Sequence, residues 1–276
     1  MKQYLEALKK CLDNGIDVES RAGKVRKNFG YQMRFNFEDG FPILTTKKIA
    51  WKSVISELLW FIEGSSDERR LAEIHYGKTR TELNDKKTIW TKNANADYWK
   101  TKAKYEGDLG KIYGVQWRNF NGVDQLNNLI KGLKKDPNGR RHVLSAWNPS
   151  ELTQMALPPC HIFSQYFVAN NKLSCHLYQR SCDMFLGVPF NISSYSLLTH
   201  LLAKECNLEL GDFIHTFGDY HIYHEHFQQV EEQLDRIPKK LPKLKIKQNK
   251  LFSYHVEDFE LIDYQSYPII KAEMSV

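Results

Sequence analysis

Cys160 closes the run Ala156-Leu157-Pro158-Pro159-Cys160-His161, in which two prolines fix the backbone ahead of a thiol and an imidazole follows it. A thiol is a nucleophile only as the thiolate, so something must favour loss of its proton. His161 is the adjacent base, but successive side chains on a strand face opposite ways, and it cannot readily deprotonate Cys160. A hairpin offers another source. With Ala169-Asn170-Asn171 as a three-residue loop, Val168 pairs with Lys172 and the register carries Cys160 opposite Arg180. Opposed Cβ atoms lie about 5 Å apart, so a guanidinium there favours the thiolate; a one-residue slip puts Ser181 opposite instead. Arg140 and Arg141 follow the turn Asp136-Pro137-Asn138-Gly139. With Arg21, Arg180 and Ser181 they would form a phosphate clamp, because guanidinium matches phosphate bidentately, although spacing alone does not gather them. Glu57 sits in an apolar helix, either as a carboxyl of raised proton affinity or as one member of a buried ion pair. His221, His224 and His226 hint at a metal. Residues 221 and 226 fall on different faces of a helix, however, and no cysteine or acid completes a set, so no metal site is expected.

The elements that must position these groups can be read from periodicity. Residues 3–14 carry Leu5, Leu8, Cys11 and Leu12 on one helical face and stop at Gly15. Tyr31, Met33, Phe35 and Phe37 alternate with polar residues as a half-buried strand does. A second helix runs from Trp51 to Glu63, ended by Gly64. Residues 65–110 are polar and irregular, an expected insertion over one side of the core. Val123, Leu126, Leu129, Ile130 and Leu133 mark a third helix. Strands follow at 142–147, 161–168 and 172–179, then helical spacing at 191–206 and 221–235, then closing strands. Runs of helix and of strand, without strict alternation, predict an α+β fold in one domain over residues 1–276.

Bulk properties bound the function. The chain of 276 residues can bury a site away from water. Its longest apolar run, Val54 to Ile62, is broken by Ser56 and Glu57, which argues against a membrane partner. The first residues read as an amphipathic helix and not a signal peptide, so a reducing cytoplasmic setting is expected and the odd set of five cysteines should be free thiols. A net charge of +6 suggests an anionic partner, yet Pro238–Lys245 alternates charge with apolar residues as an edge strand does. With no nucleic-acid motif beside that charge, no nucleic-acid partner is expected.

Longer runs then carry a resemblance. Leu157–His161, Leu173–Asp183, Leu186–Ile192, Gly211–Thr216, Gly218–Tyr223, Glu57–Trp60 and Tyr113–Arg118 closely resemble the thymidylate synthase family, and the likeness extends from the first helix to the last residue. It implies a three-layer α/β sandwich that dimerises through a large mixed sheet. It implies Cys160 as the nucleophile toward C6 of deoxyuridylate (dUMP), which makes C5 nucleophilic toward the methylene of 5,10-methylenetetrahydrofolate, a co-substrate. Arg21, Arg180 and Ser181, with Arg140 and Arg141 from a partner subunit, would hold the phosphate. Asn191 would read the O4 and N3 edge beside Gln179, and His221 and Tyr223 the deoxyribose hydroxyl. Glu57, His161 and Tyr113 would organise protons and water around C4 and C5. Trp90, Asp183, Leu186, Gly187 and Phe190 would meet the folate, and Val276 would close over it.

Departures from the family pattern cluster where the site closes: the basic stretch Ser20–Lys27, Thr91 in place of an acid, Lys111 in place of a proline, His176 in place of a glutamine, and Ser275 in place of an alanine. Closure decides whether the exocyclic methylene takes a hydride or a hydroxide. The expected product is dTMP with dihydrofolate, and the alternative is 5-hydroxymethyl-dUMP with tetrahydrofolate. Asn191 speaks against a cytosine substrate, whose donor-rich edge suits an aspartate.

Overall fold

Alternation of Met33 and Phe35 with Gln32 and Arg34 predicts a strand buried on one face, and in the computed structural model, which describes residues 1–273, that strand is the long second strand of the main sheet. In chain order the elements are α1 (Lys2–Asn14), β1 (Ile16–Ser20), β2 (Gly23–Asn36), α2 (Trp51–Glu63), α3 (Glu68–Tyr76), α4 (Thr91–Ala94), α5 (Asp97–Lys100), α6 (Tyr113–Arg118), α7 (Gln125–Lys135) and β3 (Val143–Ser145). They continue as β4 (His161–Ala169), β5 (Lys172–Asp183), α8 (Gly187–Cys206), β6 (Glu209–Tyr223), α9 (Phe227–Leu234), β7 (Lys243–Ile246) and β8 (Phe259–Ile262). The fold is α+β, built on a six-stranded mixed sheet of order β1-β2-β6-β5-β4-β3, with β7 and β8 as a separate antiparallel pair.

The crossover α8 explains the mixed sheet. Parallel β5 and β6 need a long connection, and α8 supplies it while lying against both strands. Its residues are buried nearly all round, including Ile192, Leu197, Leu198, Leu201 and Leu202, each worth about 1.5–3 kcal/mol of transfer free energy. Its buried Thr199 hydroxyl donates back to the Tyr195 carbonyl at 2.7 Å. Farther along the sheet, α1 buries Tyr4, Ala7, Leu8 and Cys11 against β2. The other face of the sheet keeps Phe163 38% and Phe167 61% exposed.

Several expectations shift. The strand β6 runs through Tyr223, so His221 and Tyr223 lie on a strand and not on a helix, and helical geometry begins only at Phe227 after a 3-10 turn. Pairing with β2 and β5 along the full length of β6 overrides the helical spacing. Val123 stays outside the third helix and is exposed, because Asp124 caps that helix by accepting from Asn127 N. Residues 65–110 hold α3, α4 and α5 and bury Leu83, Trp90, Trp99 and Leu109. The hairpin loop has two residues, Asn170 and Asn171, both at positive φ, with Ala169 opposite Lys172. A bulge between His161 and Phe163 then restores the missing residue of register.

Candidate active site

Because β5 and β6 are parallel, their C-terminal ends arrive together, with Asp183 opposite His221. Around that edge opens a cavity of about 820 Å³. Cys160 enters just before β4, half-buried. Its carbonyl accepts from Arg180 N at 2.8 Å, so the two residues are neighbours despite the altered loop, the bulge having cancelled the shorter turn. Arg180 donates through Nε to Pro159 O at 2.7 Å and through Nη2 to Pro158 O at 3.1 Å, which pins the segment bearing the thiol. The Arg180 charge favours the thiolate, as expected, but burial outweighs it. Burial pushes the Cys160 thiol up, while the Arg180 charge and the Tyr113 and Ser181 hydroxyls only pull it part of the way back.

The opposite wall comes from helices. Glu57 on α2 forms no ion pair among the described residues; its Oε1 accepts from the Trp90 indole at 2.7 Å. Burial raises its proton affinity to a pKa of about 7, against the opposing pull of the indole. Tyr113 begins α6, and its hydroxyl accepts from Cys160 N at 2.7 Å. Gly114 allows this approach: a Cβ there would lie 2.4 Å from Phe61 O, so α6 rests on the backbone of α2. His161 stacks on Tyr113 at 4.2 Å, and its Nδ1 pairs with the Tyr195 hydroxyl at 2.9 Å. Burial holds its pKa down near 3, so the ring is neutral.

Arg21, Gln179, Ser181, Asp183, Asn191, His221 and Tyr223 also line the cavity, as do Trp90, Leu186, Gly187 and Phe190. Arg21 sits in the β1–β2 turn, where Gly23 takes φ +112°. Gln179 is braced by His215 at 2.9 Å and by donation to Ser181 O at 3.0 Å. Asp183 does double duty, lining the cavity while Oδ1 accepts from Phe185 N and Leu186 N and so caps the turn into α8. His221 Nδ1 pairs with Asp219 Oδ1 at 3.0 Å. Arg140 and Arg141 are exposed and outside the cavity. Val276 and Ser275 lie outside the described residues. No group of three or more metal-ligating side chains is gathered among the described residues, and no helix is long and apolar enough to cross a membrane.

Sequence reading missed Tyr195, although it falls one turn after Asn191 on the same helix and so shares its face. It also missed Asn93, Lys87 and Ala272, which line the cavity from segments without periodic signal.

Fold and pocket together define an α+β protein with a cysteine-bearing ligand cavity at the end of a mixed sheet. The thymidylate synthase family model matches residues 2–276, and the chain belongs to that family. A bifunctional dihydrofolate reductase-thymidylate synthase from Paramecium tetraurelia is 46% identical over 292 residues, which cover 99% of this chain. The chain spans 61% of that relative's length.

Proposed function

We propose that this protein is a thymidylate synthase, converting dUMP and 5,10-methylenetetrahydrofolate to dTMP and dihydrofolate. The observation that carries the reading is one cavity lined by the Cys160 thiol, the Glu57 carboxyl, the Asn191 amide and the Arg180 guanidinium. Its volume of about 820 Å³, with Leu71, Trp90, Leu186 and Phe190 on the wall, suits a flat pterin stacked beside a nucleotide.

In this reading Arg21, Arg180 and Ser181 bind the phosphate. As the nucleotide closes over the sulfur, the thiol proton passes to water in the cavity while the sulfur adds, and the Arg180 charge offsets part of the effect of burial. Sulfur adds to C6, the C5–C6 π pair moves onto C5 and O4, and Asn191 steadies the O4 and N3 edge. The folate supplies the carbon and the hydride. Glu57, near pH 7 half-protonated, handles protons at O4 and C5 with neutral His161 and Tyr113 ordering the water between them. C5 bonds to the folate methylene, the C5 proton leaves, and the methylene–nitrogen bond breaks with its electron pair going to the folate nitrogen. Hydride from the resulting tetrahydrofolate then adds to the exocyclic methylene as the sulfur is expelled, which leaves dTMP and dihydrofolate. His221 and Tyr223 take the sugar hydroxyl, and Ala272 adds to the cavity wall.

The working unit is a homodimer formed on the open face of the main sheet. Exposed Phe163 and Phe167 on that face support this, as do Arg140 and Arg141, which stand outside their own cavity and are free to reach a partner's phosphate. Incubation with dUMP and 5,10-methylenetetrahydrofolate should yield dTMP and dihydrofolate in equal amounts. Formation of 5-hydroxymethyl-dUMP with tetrahydrofolate, or no product, would overturn the assignment.

A further inference from the structure

Thr91 belongs to a buried hydrogen-bond cluster around Glu68. Glu68 opens α3 and is 1% exposed. Its Oε1 accepts from Thr88 Oγ1, Thr91 Oγ1 and Arg69 Nη2, each at 2.6 Å, and its Oε2 accepts from Arg69 Nε at 2.6 Å. Each threonine gives its only proton to the carboxylate and keeps its lone pairs for the backbone. Thr91 Oγ1 accepts from Thr88 N at 2.8 Å, and Thr88 Oγ1 accepts from Trp90 N at 3.1 Å. Arg69 extends the cluster outward by donating through Nη1 to Leu83 O at 3.1 Å and Lys86 O at 2.9 Å. The turn 88–91 thus hangs on one carboxylate, and from that turn the Trp90 indole reaches Glu57 at 2.7 Å. A carboxylate at position 91 could not donate to Glu68 as the Thr91 hydroxyl does, and would repel it.

We propose that Glu68, acting through Thr88 and Thr91, is a positioning residue that holds the Trp90 indole on Glu57 and so tunes the carboxyl that serves C5. The inference rests on the proton-handling role given to Glu57 above. The indole favours the ionised carboxylate, so loosening the turn raises the proton affinity of Glu57, and the limb of the pH–rate profile that Glu57 governs moves to higher pH.

Thr91→Val removes one hydroxyl and keeps the shape. It should lower kcat several-fold, leave KM for dUMP within about twofold, and move the Glu57 limb upward by about one pH unit, the worth of a charge-assisted hydrogen bond. Thr91→Ser should restore the parental profile. Trp90→Phe is the reference and should move the same limb at least as far. A Thr91→Val enzyme that loses rate with its limb unmoved would reduce the cluster to a scaffold and overturn the proposal, and so would a Trp90→Phe enzyme with an unmoved limb. Thr88→Val, measured the same way, replaces Thr91→Val if that chain does not fold. Failure of the underlying reading looks different: Glu57→Gln would retain activity whatever the threonine variants do.

Discussion

The two walls of the cavity are built by different means. On the strand wall, Cys160, Arg180, Ser181, His221 and Tyr223 are held by backbone pairing, with Asp183 opposite His221 and Arg180 N bonded to Cys160 O. On the helical wall, Glu57, Trp90 and Tyr113 come from three segments and are held by side-chain bonds: indole to carboxylate, tyrosine to Cys160 N, and threonines to Glu68. A sheet edge fixes position cooperatively, since each residue shares the register of its strand. Side-chain bonds fix position one group at a time and also set proton affinities. The strand wall thus suits the covalent step, and the helical wall suits the tuning of protons.

Breaking the strand wall at Cys160, the proposed nucleophile, should have the largest effect. Cys160→Ser should lower kcat by roughly 10⁴-fold or more while dUMP still binds, because a serine hydroxyl has no base positioned to ionise it. Turnover within tenfold of the parent, in a steady-state assay, would remove Cys160 from the mechanism.

On the helical wall, Glu57→Gln should cost about 10²–10⁴-fold in kcat, the usual worth of a positioned acid–base group. It should also stabilise the fold at high pH. The folded pKa of about 7 lies above the ordinary 4.5, so the carboxyl's ionisation costs stability as pH rises from one value through the other. Above pH 7 that cost is on the order of 3 kcal/mol. Melting curves at pH 5 and pH 8 should show the variant gaining only at the higher pH. An equal gain at both would mean that Glu57 is not held protonated.

How legible each wall was in the sequence follows from the same contrast. Period-2 alternation found β2, β4 and β5, and the 3.6-residue period with a closing glycine placed α2 at Trp51–Glu63. Arg180 was placed beside Cys160 by a three-residue loop that the structure replaces with a two-residue turn and a bulge, two errors of register that cancel. His221 and Tyr223 were read as helical because local spacing carries no information about partners β2 and β5. On the helical wall, Glu57 is legible from its apolar helix, whereas Trp90 and Tyr113 come only through family likeness. Trp90, Thr91 and Glu68 lie in a stretch without periodicity, and the bond from Trp90 to Glu57 spans 33 residues of sequence.

Specificity sharpens the comparison at the junction of the walls. Asn191→Asp should move the ratio of kcat/KM for dUMP over dCMP by about tenfold or more toward dCMP, since a carboxylate repels O4 and accepts from the exocyclic amine. An unmoved ratio would mean that Asn191 does not read that edge.

The smallest effect should come from backbone contact. Gly114→Ala places a Cβ against Phe61 O, and relieving it should cost about 1–3 kcal/mol of stability. Tyr113 should shift with α6, so kcat should fall more than KM rises. A melting temperature equal to the parent's would show that α6 can back away from α2 freely.

Loss of the C5 hydrogen tests the covalent mechanism most directly. With dUMP tritiated at C5 and 5,10-methylenetetrahydrofolate present, tritium should enter water in proportion to dTMP formed, and the Cys160→Ala enzyme should release none above background. Tritium release at the parental rate from the Cys160→Ala enzyme would contradict addition of the Cys160 sulfur at C6 as the step that makes C5 a nucleophile.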